Sequence, residues 1–407
     1  GPFAQRDEQS VRARSGSRRD VANIFKTVTV NVDRDEGSRD SPISLYSTEA
    51  LCDFGVFSVF RGTTFASRFL YIQTALLAVY SILVGIFIYL NPLVDHKSVD
   101  LDNLVFVENL IQGLVTFLLS LFVSLSISRW WACREQCVGG VWQAANDLSM
   151  VVSVSIRGED ERSKLVRKTL IRYALLSHAL LFAEARELAI FERSRDSMEK
   201  RYELQKEHRE IRLRELRECG LVTRDEISLL KGQSASQLPW VWVSELMIRA
   251  EENNLIHAAV KANTMYFAQQ LCINARRSLG STIAYLSTQL PYVYVHIIVF
   301  ITKMHMIFIA TITGVACSTS IATKDFWNSF QHVAYVIIVP VIFQGLLDVH
   351  KKLRNPFSEH SNSFPEARYA AIIEEECNTF MKVGRSGSPV DHVLPLSAPA
   401  LPAAAAP

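Results

Sequence analysis

Apolar residues along this chain gather into four long runs, and each is too long for an ordinary core helix. Phe69 to Leu90 is 22 residues without a charge. At about 1.5 Å per residue a helix of that length crosses a hydrocarbon core of roughly 30 Å. Leu104 to Ile127 is a second run, with Glu108 as its single charge. Leu290 to Ala316 is a third and carries His296, Lys303 and His305. Phe326 to Leu347 is a fourth, with Pro340 inside it. Proline is tolerated in a membrane helix where neighbours satisfy the carbonyl it frees. The pattern predicts an all-α membrane protein with spans at 69–90, 104–127, 290–316 and 326–347.

The polar stretches divide the rest. Residues 1–45 read as a disordered arm and 386–407, which end in Ala/Pro repeats, as a disordered tail. An N-terminal segment and spans one and two fill 46–129, and spans three and four fill 290–350. Residues 130–289 have soluble character and helical spacing of apolar positions, as in Asp160 to Phe191. They predict a helical cytosolic domain, joined by a cytosolic segment over 351–385. Arg186 to Glu218 holds ten Lys/Arg against nine Asp/Glu. Such a helix is expected to be a solvated face laced with i, i+4 pairs.

Loop charges set the orientation. Arg61 and Arg68 precede span one, Arg129 and Arg134 follow span two, and Lys351, Lys352 and Arg354 follow span four. The loop after span one holds three Asp against one Lys. The positive-inside tendency places both termini and the helical middle on one cytosol-like side.

Composition narrows the function. A net charge of +2 gives no bulk attraction to nucleic acid. Seven scattered cysteines form no CxxC and no disulfide framework. Cys133 and Cys137, four apart, could share a ligand but read better as structural. No Walker loop, HExxH or GxSxG is present, so an enzyme is not indicated. The start Gly-Pro-Phe without Met reads as a tag remnant or a fragment, so any targeting peptide could lie outside this sequence.

The second run carries a finer pattern. Gly113, Phe117 and Leu121 are four apart and share a helix face, and Thr116, Ser120 and Ser124 form the adjacent stripe. Small polar stripes permit close helix packing or border a water-filled path. The run closes on Ser128-Arg129-Trp130-Trp131, where tryptophan belts and snorkelling arginines mark a membrane interface.

This Ser-Arg-Trp-Trp end resembles the bestrophins, pentameric anion channels. So do FRGTTF at 60–65, RKTLIRYALLSHALLF at 167–182, LPWVWVSELM at 238–247, LPYVYV at 290–295 and LRNPFSEHSNSF at 353–364. The likeness runs in order from about Phe60 to about Phe380. It implies a homopentamer around one central pore, with chloride as permeant ion and the 351–385 segment wrapping a neighbouring subunit. Gly113, Phe117 and Leu121 then fall in an apolar neck, flanked by the polar Thr116, Ser120 and Ser124. Lys261 and Asn263 fall near a cytosolic aperture. Members of the family have bulkier residues where this chain has Gly113 and Leu121, which implies a neck wider or less strictly gated than in the animal members.

Animal bestrophins hold calcium in a clasp whose ligands include acidic residues after Asn-Pro-Phe. Here Asn355-Pro356-Phe357 is followed by Glu359 as the lone carboxylate before Phe364, and Lys352 falls near another ligand position. Calcium wants several hard oxygens, so no tight site is expected, only a weak remnant at Asn355 and Glu359. Lys303, His296 and His305 are intramembrane ionisable candidates. Pairing with a polar group such as Glu108, or snorkelling, is the simpler expectation for them.

The function implied is a ligand- or signal-gated anion channel for chloride or bicarbonate. The alternative is a non-conducting regulatory or structural subunit on the same scaffold. Membrane lipid, a homo-oligomer and a fused or docked regulatory domain are the partners expected. The membrane is the plasma membrane or an organelle's, thylakoids included.

Overall fold

In this computed structural model the residues described are 63–91, 101–156, 158–193, 196–232, 234–323, 326–358 and 363–383. The expected arm at 1–45, the tail at 386–407, residues 60–62 and Glu359 lie outside them. The described residues are helical, with no strand among them. Eleven α-helices among them are numbered here in chain order. The chain divides into two compact units.

The first unit holds the described residues of 63–132 and 288–364. Its helices are α1 (Arg68–Leu90), α2 (Leu101–Ala132), α9 (Tyr292–Thr323) and α10 (Phe326–Leu353). These four are long and apolar enough to cross a membrane. Hydroxyls inside them return to the carbonyl four residues back: Thr74 to Leu70 at 3.0 Å, Ser126 to Phe122 at 2.8 Å, Thr302 to Ile298 at 2.7 Å. That self-satisfaction lets polar residues sit in apolar helices.

The core of this unit joins Val115, Leu119 and Phe122 of α2 to Ile298 and Met306 of α9 and Phe343 of α10. Helix α1 buries little. Ile72, Leu76, Ile82, Phe87 and Leu90 stay exposed, as suits a lipid-facing helix. It meets α9 where Gly85 and Gly314 oppose each other. A Cβ on Gly314 would stand 2.5 Å from the Ser81 carbonyl oxygen, so the crossing admits no side chain there.

The second unit holds 133–287 and 365–383 of the described residues. A π-helical turn, Cys133–Val138, precedes α3 (Gly139–Ser155). Then come α4 (Glu161–Arg193), α5 (Met198–Glu218), α6 (Arg224–Leu229), α7 (Leu238–Glu252), α8 (Lys261–Ser287) and α11 (Glu366–Val383). Cys133 and Cys137 are both buried in this turn, and neither forms a disulfide among the described residues. Helix α5 is closed off by Gly220, whose φ of +75° is open to glycine, and Leu221 N–H bonds back to the Leu216 carbonyl at 3.0 Å. Helix α6 starts on Thr223, whose N–H donates to Glu226 at 2.8 Å.

The charged run differs from the expected single solvated helix. Helix α4 stops at Arg193 and α5 begins at Met198, after the Asp196-Ser197 pair of helix-starting residues. Some of its charges do form exposed local pairs, such as Lys200 with Asp196. Others turn inward. Arg209 holds Glu187, and Arg212 and Arg186 both hold Glu366 at the start of α11.

Candidate functional site

Helix α2 has two distinct faces. Val115, Leu119, Phe122 and Ser126 are buried against α9 and α10. Gly113, Phe117 and Leu121 project the opposite way, with Phe117 64% and Leu121 44% exposed. A Cβ on Gly113 would meet nothing within 4 Å. Thr116, Ser120 and Ser124 are exposed beside them. The Ser120 hydroxyl donates to the Phe117 carbonyl at 2.8 Å, so it needs no partner outside the helix.

The ends of α2 are tied to its neighbours in the same unit. Glu108 is buried and accepts the Tyr335 hydroxyl at 2.9 Å, which also reaches the Gln112 side-chain oxygen at 3.2 Å. Ser126 meets His350 Nδ1 at 2.7 Å, and the His350 ring lies 4.3 Å from that of Phe122. Arg129 donates to the Thr288 carbonyl at 2.7 Å. Trp130 packs on Phe364 at 5.1 Å, while Trp131 is 56% exposed, an interface arrangement.

The intramembrane ionisable residues do not form one site. Lys303 pairs with polar groups, one of the two outcomes expected for it, though not with Glu108, which accepts from Tyr335. Its ammonium donates to Gln73 at 2.7 Å and to Gln344, which in turn donates to Asp348 at 2.9 Å. It thereby links α1, α9 and α10. His305 is buried against Phe343, with neither ring nitrogen hydrogen-bonded. His296 is exposed, its ring between Tyr292 and Phe300.

At the expected cytosolic aperture, Lys261 forms an ion pair with Glu251 at 3.2 Å, which offsets its charge. Asn263, two residues on at the start of α8, is exposed. Asn355 spends its side-chain oxygen on the Phe357 N–H at 3.0 Å, and its carbonyl accepts from the Ser358 hydroxyl at 2.9 Å. Lys352 donates to the Thr63 carbonyl at 2.7 Å. Among the described residues no group of three His, Cys, Asp or Glu is placed to hold a metal.

Sequence reasoning missed a buried ionic cluster in the second unit. Glu366 lies between Arg212 and Arg186, with His178 and His208 close by. Burial pushes the Glu366 carboxyl up, but the two guanidinium groups outweigh it and hold it below the usual carboxylate range. Burial drives the His178 imidazole down to about 4 and lowers His208 as well. A surplus of arginine near one isolated acid carries no local spacing signal.

The fold and the face of α2 define an all-α membrane protein with four spans and a helical domain outside them. The profile described as "Bestrophin, RFP-TM, chloride channel" matches residues 47–383, and the chain belongs to the bestrophin family. It is 24% identical over 294 residues to Bestrophin-1 of Sus scrofa, covering 68% of this chain and 44% of that one. It is 25% identical over 265 residues to human Bestrophin-3, covering 61% and 34%. The chain thus spans less than half the length of these curated relatives. Among solved structures, a point variant of a bacterial bestrophin homolog from Klebsiella pneumoniae aligns with TM-score 0.55 at 13% identity, covering 76% of this chain and 98% of that one. A second variant of that protein aligns with TM-score 0.52 at 13% identity, covering 81% and 99%.

Proposed function

We propose that the chain is the subunit of a homopentameric anion channel, with Gly113, Phe117 and Leu121 of α2 forming an apolar neck. The observation that carries this is the exposed face of α2, where an aromatic ring and an open glycine stand opposite the packed face. The neighbouring Thr116, Ser120 and Ser124 suit a water-lined wall better than a lipid surface. Aromatic edges carry partial positive charge and favour anions. A narrow apolar ring also gates by dewetting. Chloride and bicarbonate are the permeant ions, and Asn263 lines the cytosolic aperture. A ligand or other signal opens the channel from the cytosolic side, where both termini lie.

Calcium does not control this channel. The Asn355 side chain is engaged by its own turn, and Lys352 adds positive charge to the segment. The test is anion current through the purified protein in planar bilayers, with chloride and then bicarbonate, each with and without a calcium chelator. Chelator-resistant current that reverses at the anion potential is expected. Current lost on chelation would sink the calcium reading. No current in any condition would favour a non-conducting subunit.

A further inference from the structure

Arg134 lies in the π-helical turn Cys133–Val138. Such turns recur at functional sites. Its guanidinium carbon is 4.8 Å from the Tyr369 ring centroid and 5.6 Å from that of Trp142. Two aromatic faces therefore hold the cation in place. Among the described residues no carboxylate lies within ion-pair distance of it, so its charge is braced and not neutralised. Gly139 keeps the space open. A Cβ there would stand 3.1 Å from the Arg134 carbonyl oxygen and 3.7 Å from Arg134 Nη1.

Beside this guanidinium opens a cavity of about 450 Å³. That lies within the range of small-molecule sites, roughly 300–1,000 Å³. One wall is a single face of α3, with Trp142, Asn146 and Met150 at helical spacing. Phe380 of α11 forms part of the other. The wall is fixed from behind. Trp142 Nε1 and Asn146 Nδ2 each donate to Glu376 of α11 at 2.6 Å. Glu376 is thereby committed to the wall. The one acid lining the cavity is Asp147, whose carboxyl is pushed up by burial.

We propose that this cavity binds a small amphipathic organic anion, its oxyanion head on Arg134 and its apolar body against Trp142, Met150 and Phe380. Arginine's planar fork matches carboxylate and phosphate oxygens two at a time. A free carboxylate on an aromatic or alkyl body and the phosphate head of an anionic lipid share this chemistry. The occupant bridges α3 and α11 and adds to their pairing. The inference does not rest on conduction, because binding is read without current.

The test uses the full chain in phosphatidylcholine nanodiscs, titrated calorimetrically with 4-phenylbutyrate. Saturable binding is expected, at least tenfold weaker for the neutral 4-phenylbutyramide. Arg134→Gln and Phe380→Ala should each weaken it at least tenfold, with circular dichroism melting to verify folding. Phe380→Ala probes the far wall and leaves the Arg134 setting intact. In phosphatidylglycerol nanodiscs, binding lost to competition assigns the site to a lipid phosphate, and binding retained assigns it to a free carboxylate. No saturable binding in phosphatidylcholine, equal binding of acid and amide, or full binding by a folded Arg134→Gln protein would each overturn the proposal.

Discussion

Arg212 of α5 and Glu366, the first residue of α11, form a buried ion pair across 154 residues of sequence. Arg186 of α4 takes the second carboxylate oxygen at 2.7 Å, so three helices converge on one acid. Removing one partner of a buried pair leaves its charge uncompensated, at a cost of about 3–5 kcal/mol. Glu366→Gln would leave two guanidinium groups without their shared anion. Its apparent melting temperature in detergent should fall clearly below that of the parent protein, with α11 released first. An unchanged melting temperature would mean that the carboxylate contributes little to holding α11.

His178 makes this region acid-sensitive. It is 1% exposed, packs on Phe182 at 4.9 Å, and neither ring nitrogen has a hydrogen-bond partner. Burial holds its folded pKa at about 4 against an ordinary value of 6.5. Between those values the unfolded chain binds a proton that the folded chain refuses. Stability is therefore full above pH 6.5 and falls as the pH drops toward 4, by on the order of 3 kcal/mol. Glu366, with its carboxyl held below 4.5, adds a further loss as the pH falls through that value. His178→Phe should flatten the melting-temperature profile between pH 7 and 5. A profile as steep as the parent's would assign the acid sensitivity elsewhere.

The membrane helices were legible because an uncharged run of more than twenty residues has few other structural outcomes. The four-residue stripe through Gly113, Phe117 and Leu121 also placed those residues on one face of α2. The ionic interior was not legible. The composition of 186–218 suits a solvated helix, and local pairing rules see only neighbours three or four apart. What turns Arg186 and Arg212 inward is Glu366, brought by the fold and not by spacing. A polar partner was expected for Lys303, but spacing could not name the two glutamines, 230 and 41 residues distant, that accept its hydrogen bonds. Arg134 gave no signal because one of its two aromatic braces, Tyr369, comes from a distant helix.

The α1–α9 crossing depends on two glycines unequally. A Cβ on Gly314 would stand 2.5 Å from the Ser81 carbonyl oxygen and 2.9 Å from Val84 Cβ. On Gly85 the nearest atom would be the Gly314 carbonyl oxygen at 3.1 Å. Gly314→Ala must push two backbones apart, and overpacking of this kind costs about 1–3 kcal/mol. Gly85→Ala needs a shift of only a few tenths of an ångström. Melting in detergent should therefore rank the parent above Gly85→Ala, and Gly85→Ala above Gly314→Ala. The reverse order would show that the helices approach elsewhere.

Gly113→Ile separates the proposed neck from the packing of the subunit. Among the described residues nothing lies within 4 Å of a Cβ at this position, so a side chain there starts in open space. Leu119→Ala is the matched opposite, since Leu119 is fully buried in the α2–α9–α10 core. The cavity it leaves should cost about 2–5 kcal/mol. The expected pair of outcomes is sharply reduced single-channel conductance with an unchanged melting temperature for Gly113→Ile, and a lowered melting temperature with parental conductance for Leu119→Ala. Parental current through Gly113→Ile would place this face against lipid or a neighbouring helix, and the neck would have to be sought on another stretch of the chain.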